Sequence, residues 1–99
     1  MAVYVDAPIW HARGRRWCHL TADTSDELHA FADALGLRRA WFQARPGQPW
    51  KDHYDLPDWA RAEAVAQGAV AISRREAGER LIAARRAAVR SRPAPGRSR

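Results

Sequence analysis

The sequence predicts a small α/β domain in which a single-layer, mostly parallel sheet of about three to four short strands packs against about three helices. Two observations lead to this prediction. Short segments with apolar residues at every second position alternate along the chain with segments whose apolar residues recur every three to four positions. Strands that alternate with helices are joined by right-handed crossovers, and such connections favour parallel pairing.

Residues 2–6 and 17–22 are the first two predicted strands. Val3 and Val5 alternate with polar neighbours, which is the period-two pattern of a strand with one buried face. A segment broken by proline and glycine follows. The same alternation then places His19 mid-strand over residues 17–22.

A helix is predicted over residues 25–35. Thr24 and Glu27 have the spacing of a capping box, and Gly36 is a natural residue to follow the last helical turn. Apolar residues at i, i+3, i+4 and i+7 indicate a face that packs in the core. This face consists of Leu28, Phe31, Ala32 and Leu35.

The middle of the chain contains a predicted strand over residues 40–43 and an extended segment over 53–56. A loop rich in proline and glycine, residues 45–52, separates them. Pro57 is tolerated in a first helical turn, so a second helix is predicted from there to Gly68. Its apolar positions are Trp59, Ala62, Val65 and Ala66.

A short strand over residues 69–72 and a long helix complete the predicted domain. Ser73 and Glu76 repeat the capping-box spacing before this helix. We expect one domain over residues 1–90 and a mobile arginine-rich tail over 91–99, whose composition cannot compensate the entropy of ordering. The apolar spine of the last helix consists of Ala77, Leu81, Ala84 and Ala88.

Charge is unevenly distributed along the chain. Residues 1–73 carry eight basic and nine acidic side chains, whereas residues 74–99 carry nine arginines and two glutamates. This basic end would attract polyanions without sequence preference, although a solubilising tail is an equal explanation. The candidate nucleic-acid-binding residues are Arg85, Arg86, Arg90 and Arg92.

The composition also limits the compartment and the class of site. Cys18 is the single cysteine, so the chain has no intramolecular disulfide and too few thiols for a zinc ribbon. The N-terminus lacks the pattern of a signal peptide, and no stretch approaches the length of a membrane span. We therefore expect a soluble cytoplasmic protein without a membrane partner.

His53 and Asp55 are two candidate catalytic residues. In an extended segment they project from the same face, which suits an oriented general base or two ligands of one metal. The alternative is that Asp55 accepts hydrogen bonds from the N–H groups of the helix after Pro57, with His53 on the surface.

His19 and Asp6 are the other two candidate catalytic residues. His19 shares a strand face with Trp17, and such a histidine is as often a satisfied core group as a functional one. Asp6 ends the first predicted strand, at the sheet edge where ligands bind in parallel α/β folds. These four side chains are suitable ligands for Zn, Mn or Fe, although their spacing matches no standard metal motif.

Four further residues are candidates for ligand binding. Asp23 and Gln43 end predicted strands, while His29 and Tyr54 belong to short clusters of polar and aromatic residues. For His29, a surface ion pair with a neighbouring aspartate is an equal explanation. Trp10 and Trp50 fall in predicted loops and are the tryptophans without a simple core explanation.

Several familiar sites are excluded. The chain contains no P-loop, no G-x-G-x-x-G and no G-x-S-x-G, so neither phosphate binding by a glycine-rich loop nor a serine-hydrolase nucleophile is supported. Cys18 lies on the apolar face of its strand, where burial is the expected outcome.

A series of motifs along the chain resembles a known family. In order, they are Tyr4-Val5-Asp6, Trp17-x-His19, Ala22-Asp23-Thr24-x-x-Glu27-Leu28-His29-x-Phe31-Ala32, Leu35-Gly36-Leu37, Trp41-Phe42-Gln43, His53-Tyr54-Asp55 and Gly68-Ala69-Val70. Over roughly residues 1–82 the chain is similar to domain-of-unknown-function family 4031, small proteins from bacteria and their phages. That family has no established activity, so the resemblance implies no catalytic assignment.

Two classes of function follow from these patterns. The first is hydrolytic or phosphoryl chemistry on a nucleotide-like ligand, carried by a histidine base and an orienting carboxylate. The alternative is a non-enzymatic module that binds nucleic acid through its basic end, or an accessory protein that docks a partner. The sequence assigns no cofactor.

Overall fold

A computed structural model describes residues 2–91 of the 99-residue chain. The predicted tail lies outside the described residues, apart from residue 91. The described part contains three helices and six strands. In chain order they are β1 Val3–Val5, β2 Trp10–Ala12, β3 Arg15–Ala22, α1 Ser25–Ala34, β4 Phe42–Gln43, β5 His53–Pro57, α2 Asp58–Ala66, β6 Val70–Ala71 and α3 Arg74–Ser91.

The sheet is mixed and larger than predicted. Its strand order is β4-β5-β3-β1-β6, and β2 pairs with the beginning of β3. Only β1 and β6 pair in parallel within residues 2–91; every other pair is antiparallel. The prediction of a mostly parallel sheet of three to four strands was therefore wrong in direction and in number.

The hairpin formed by β2 and β3 was not predicted. Arg13 and Gly14 form its two-residue turn with φ values of 52° and 77°. Positive φ at both central positions gives the type I′ twist that matches antiparallel strands. A non-glycine residue rarely adopts this conformation, so the Arg13-Gly14 pair did not identify a hairpin in the sequence.

One face of the sheet packs against α1 and α2 and forms the core. Thr24 accepts a hydrogen bond from the Glu27 N–H and so caps α1 as predicted, and Gly36 follows the helix with a φ of 77°. Of the predicted core positions, Leu28 and Ala32 are buried, whereas Phe31 and Leu35 are partly buried at the edge. The residues most completely buried on this face are Val5, Cys18, Leu20, Leu28, Ala32, Tyr54, Leu56 and Ala64.

The apolar face of α2 differs from the predicted one. Ala60 and Ala64 are buried, whereas Trp59 is 64% exposed and Val65 is 41% exposed. Alanines one turn apart allow the helix backbone to approach the sheet closely. The larger residues would hold the helix away from it, so size as well as periodicity determines which face is buried.

The last helix lies over the opposite face of the sheet. Ser73 and Glu76 form the predicted capping box. The predicted spine packs less closely than expected, because Leu81 and Ala84 are exposed and only Ala77 and Ala88 are half-buried. No helix within residues 2–91 has both the length and the apolarity that crossing a membrane requires.

Candidate functional site

The face of the sheet beneath α3 carries a cluster of histidine and carboxylate side chains. His19 on β3 pairs directly with Asp55 on β5. Alternation along β5 places His53 on the same face, two residues from Asp55, while Tyr54 points into the core. The structure therefore brings His19, His53 and Asp55 together, and their catalytic roles stay predictions.

Asp6 fixes the orientation of His19. Its carboxylate accepts one hydrogen bond from the His19 backbone N–H at 2.6 Å and meets the ring Nδ1 at 2.7 Å. Because an ionised carboxylate only accepts, Nδ1 carries the proton and Nε2 keeps its lone pair. Arg61 on α2 donates its Nε–H to the Asp6 carbonyl at 2.9 Å, which holds this segment in place.

A backbone carbonyl fixes the orientation of His53 in the same way. The His53 Nδ1 lies 2.8 Å from the Lys51 carbonyl oxygen, which can only accept, so Nδ1 is again the protonated nitrogen. The His53 Nε2 then lies 3.3 Å from Asp55 Oδ1. The lone pair of Nε2 then faces a carboxylate oxygen, and a cation bound to both groups would remove the repulsion between them.

The three side chains have the geometry of a metal-ligand set. One potential ligand atom from each of His19, His53 and Asp55 lies within 4.8 Å of the others. Two imidazoles and one carboxylate are typical ligands of Zn²⁺, Fe²⁺ and Mn²⁺. The hydrogen bonds from Nδ1 to Asp6 and to a carbonyl are also the outer contacts that metal-binding histidines make. Asp6 therefore supports His19 and does not belong to the ligand set itself.

Ring contacts also hold this cluster. The rings of His19 and His53 meet edge-on with their centroids 4.8 Å apart, and Trp10 packs on His19 at 4.5 Å. Trp10 was predicted to lie in a loop, but it belongs to the hairpin formed by β2 and β3. Trp17, expected beside His19, is buried and packs edge-on against Trp41.

The cluster opens into the space between the sheet and α3. His19 remains 39% exposed and His53 25% exposed. Two adjoining cavities of about 350 and 360 Å³ both include Asp6 and His19 in their walls. The loop over residues 44–52 contributes Trp50 to both cavities. Neither the loop nor Trp50 was predicted as part of the candidate site, because a loop has no periodic pattern from which its position relative to the sheet could be predicted.

Two predicted ligand-binding residues lie on the other face of the sheet. His29 and Tyr54 contact each other at 2.7 Å between the ring Nδ1 and the hydroxyl, and both rings pack against Phe42. Burial, partly offset by the charge of Arg39, raises the pKa of Tyr54. The hydrogen bond and the ring contacts account for the position of the His29 side chain without a bound ligand. Within residues 2–91 His29 forms no ion pair with a neighbouring aspartate, and Asp33 pairs with Arg39 instead.

The other candidates are dispersed. Asp23 lies at the far end of β1 from Asp6, because β3 is antiparallel to β1, and there it accepts hydrogen bonds from Ala2, Tyr4 and Arg80. Gln43 pairs with His53 and lines the same cavity. Asp55 does not accept hydrogen bonds from the first N–H groups of α2, because this helix has no side-chain cap.

The candidate nucleic-acid-binding arginines on the described part of α3 line neither cavity. Arg85, Arg86 and Arg90 are exposed on α3, and Arg92 lies outside the described residues. Nucleic-acid binding by these arginines stays a prediction.

Cys18 is buried, as predicted. Its side chain is inaccessible in the core, and burial together with the nearby Asp6 carboxylate raises the pKa of its thiol to about 12, against a smaller opposing effect of Arg61. Such a thiol is neither a nucleophile nor a metal ligand at neutral pH.

Comparison with known proteins agrees with the resemblance in the sequence. Neither the curated proteins nor the solved structures gave a match to the chain. A family model described as "Protein of unknown function (DUF4031)" matches residues 3–84, which include every residue of the ligand cluster and most of α3. The chain therefore belongs to the DUF4031 family.

Proposed function

We propose that the protein binds one divalent transition-metal ion through His19, His53 and Asp55 and catalyses hydrolytic or phosphoryl chemistry on a nucleotide-like substrate. The observation that carries this proposal is the convergence of three ligand atoms within 4.8 Å on an accessible sheet face. Hydrogen bonds already orient both imidazoles. That preorganisation lowers the cost of forming the site.

Three protein ligands leave coordination positions for water or substrate, which is the arrangement of catalytic metal sites. A metal held in this way lowers the pKa of bound water and polarises a phosphoryl oxygen. In hydrolysis of a phosphate ester, a water oxygen bonds to phosphorus, the ester P–O bond breaks, and the leaving oxygen takes up a proton. The exposed side of His19 faces the cavities from which a substrate would approach.

The chain offers a matched control for testing the ligand set. His11 is exposed on β2 and lies outside both cavities, so His11→Ala removes an imidazole without changing the cluster. Isothermal titration of the full chain with Zn²⁺ and Mn²⁺ should give one site, with affinity reduced about 100-fold or more in His53→Ala and in Asp55→Ala. His11→Ala should match the unchanged protein. Circular dichroism of each variant checks that it is folded.

Activity is measured on the same set of proteins with the generic ester p-nitrophenyl phosphate. We expect metal-dependent hydrolysis that is lost in His53→Ala and retained in His11→Ala. Equal metal uptake by the unchanged protein and by folded His53→Ala would refute the proposed metal site. Hydrolysis that needs no metal and is lost in His19→Ala would instead assign the chemistry to the Asp6–His19 pair.

A further inference from the structure

The two cavities beside the ligand cluster form one trough between the sheet and α3. Their volumes are about 350 and 360 Å³. Because they share walls, we treat them as two lobes of a single trough. The residues that line both lobes are Asp6, His19, Thr21, Trp50, Ala77 and Leu81. Lobes of this size fall within the range of small-molecule sites.

The two lobes differ in charge, although Asp6 lines both of them. The basic lobe, which contains His53, is lined by Arg45 and Lys51, and neither cation forms an ion pair within residues 2–91. The other lobe is lined by Asp23 and Asp52, and its single arginine, Arg80, already pairs with Asp23. Two unpaired cations next to a metal-ligand cluster favour a phosphate or another anion in the basic lobe.

Trp50 lies where the two lobes meet. It is half-buried in the short 3-10 segment Pro49–Lys51, and within the described part of the chain its ring contacts no other aromatic ring. Leu81 and Ala77 of α3 line the same part of the trough. An indole with an unstacked face, together with apolar side chains, provides a surface on which a planar heterocycle can stack.

We propose that the trough binds a nucleoside monophosphate, with the phosphate in the basic lobe beside His53 and the base against Trp50. This inference rests on the proposed function and names its substrate class. The phosphate of the bound nucleotide would lie next to the metal ligands, where a bound metal could act on it. Because α3 forms the far wall of the trough, a single nucleotide fits it better than a polymer.

The test compares four small probes that share parts of the proposed substrate. Binding of adenosine 5′-monophosphate, ribose 5-phosphate, adenosine and inorganic phosphate is measured by calorimetry on the full chain, with and without Zn²⁺. Adenosine 5′-monophosphate should bind at least about tenfold more tightly than ribose 5-phosphate, as expected for one stacked base. The preference should disappear in Trp50→Ala.

Matched controls exist for both kinds of contact. Trp59 is 64% exposed on α2 and Arg16 is exposed on β3, and both lie outside the trough. Trp59→Ala should keep the preference for adenosine 5′-monophosphate. Affinity for the two phosphorylated probes should fall about tenfold or more in the Arg45→Ala, Lys51→Ala double variant, since bonds to charged groups are strong, and remain unchanged in Arg16→Ala.

The outcomes separate this inference from the proposed function. Trp50, Arg45 and Lys51 are not metal ligands, so the metal-free protein should retain weaker binding of adenosine 5′-monophosphate with the same dependence on these residues. Metal binding without any preference for the nucleotide would overturn the substrate class and leave the metal site intact. A short oligonucleotide that binds more tightly than the mononucleotide, independently of Trp50, would also overturn it.

Discussion

At the scale of single residues, the candidate site depends on which nitrogen of each histidine is protonated. His19 and His53 both donate from Nδ1, the first to a carboxylate and the second to a backbone carbonyl. Both rings therefore keep Nε2 for a ligand or a substrate proton. This arrangement could be predicted only in part, because the carbonyl of Lys51 becomes an acceptor through the local path of the chain and not through a sequence motif.

Alternation within strands did predict which residues share a face. His53 and Asp55 were expected to project together, and they do. The link between Asp6 and His19 could not be predicted, since it requires β1 and β3 to be antiparallel and the predicted sheet was mostly parallel. Strand direction depends on pairing between residues far apart in the sequence, and short-range periodicity carries no information about that pairing.

Cys18 gives a prediction at this scale. Its side chain is fully buried and the pKa of its thiol is raised to about 12, so at pH 8 the native protein should react with a disulfide reagent only through unfolding. In denaturant the same thiol should react within seconds to minutes. The release of thionitrobenzoate, followed at 412 nm with and without guanidinium, measures both rates. Rapid reaction of the native protein would show that the core around β3 is open.

At the scale of secondary-structure elements, capping motifs were more informative than apolar faces. The Thr24–Glu27 and Ser73–Glu76 boxes both begin helices where expected. By contrast, α2 buries its small alanines and exposes Trp59, because close packing against the sheet selects side-chain size. A periodic pattern with two apolar stripes does not tell which stripe faces the core.

Arg80 connects α3 to the sheet. The Arg80 guanidinium lies 3.0 Å from Asp23 Oδ1 and 3.4 Å from the centre of the Tyr4 ring. Burial alone would raise the pKa of Asp23, but hydrogen bonds from Arg80, Ala2 and Tyr4 outweigh it, so the pKa of this carboxyl is lowered from its ordinary 3.8. The contact therefore stabilises the protein fully above that value and is lost as the pH falls below it.

We therefore expect Arg80→Ala to lower the free energy of unfolding by about 1 kcal/mol at neutral pH, a size typical of a partly exposed ion pair with a cation–π contact. The loss should shrink as the pH falls below 3.8, because Asp23 then becomes protonated and no longer pairs with Arg80. Arg75→Ala is the matched control, because its pair with Glu79 is exposed and lies within α3. Urea denaturation at several pH values checks this. A deficit that stays constant as Asp23 protonates would contradict the assigned contact.

At the scale of the whole molecule, the sheet separates two functions. One face packs against α1 and α2 and supplies the core, while the other carries the ligand cluster and the trough beneath α3. Because neighbouring residues of a strand point to opposite faces, Tyr54 completes the core between two residues of the candidate site. The sequence predicted the α/β class and the helices. It could not predict the trough, which arises from where α3 and residues 44–52 lie relative to the sheet.

Nitrogen-15 NMR of the four histidines can show whether His19 and His53 bind a metal through Nε2 together with Asp55. Without metal, the Nδ1 nitrogens of His19 and His53 should be protonated. One equivalent of Zn²⁺ should shift the Nε2 resonances of both by tens of ppm and leave His11 and His29 unchanged. Unshifted His19 and His53 resonances, or shifts confined to His11, would contradict metal binding at His19, His53 and Asp55.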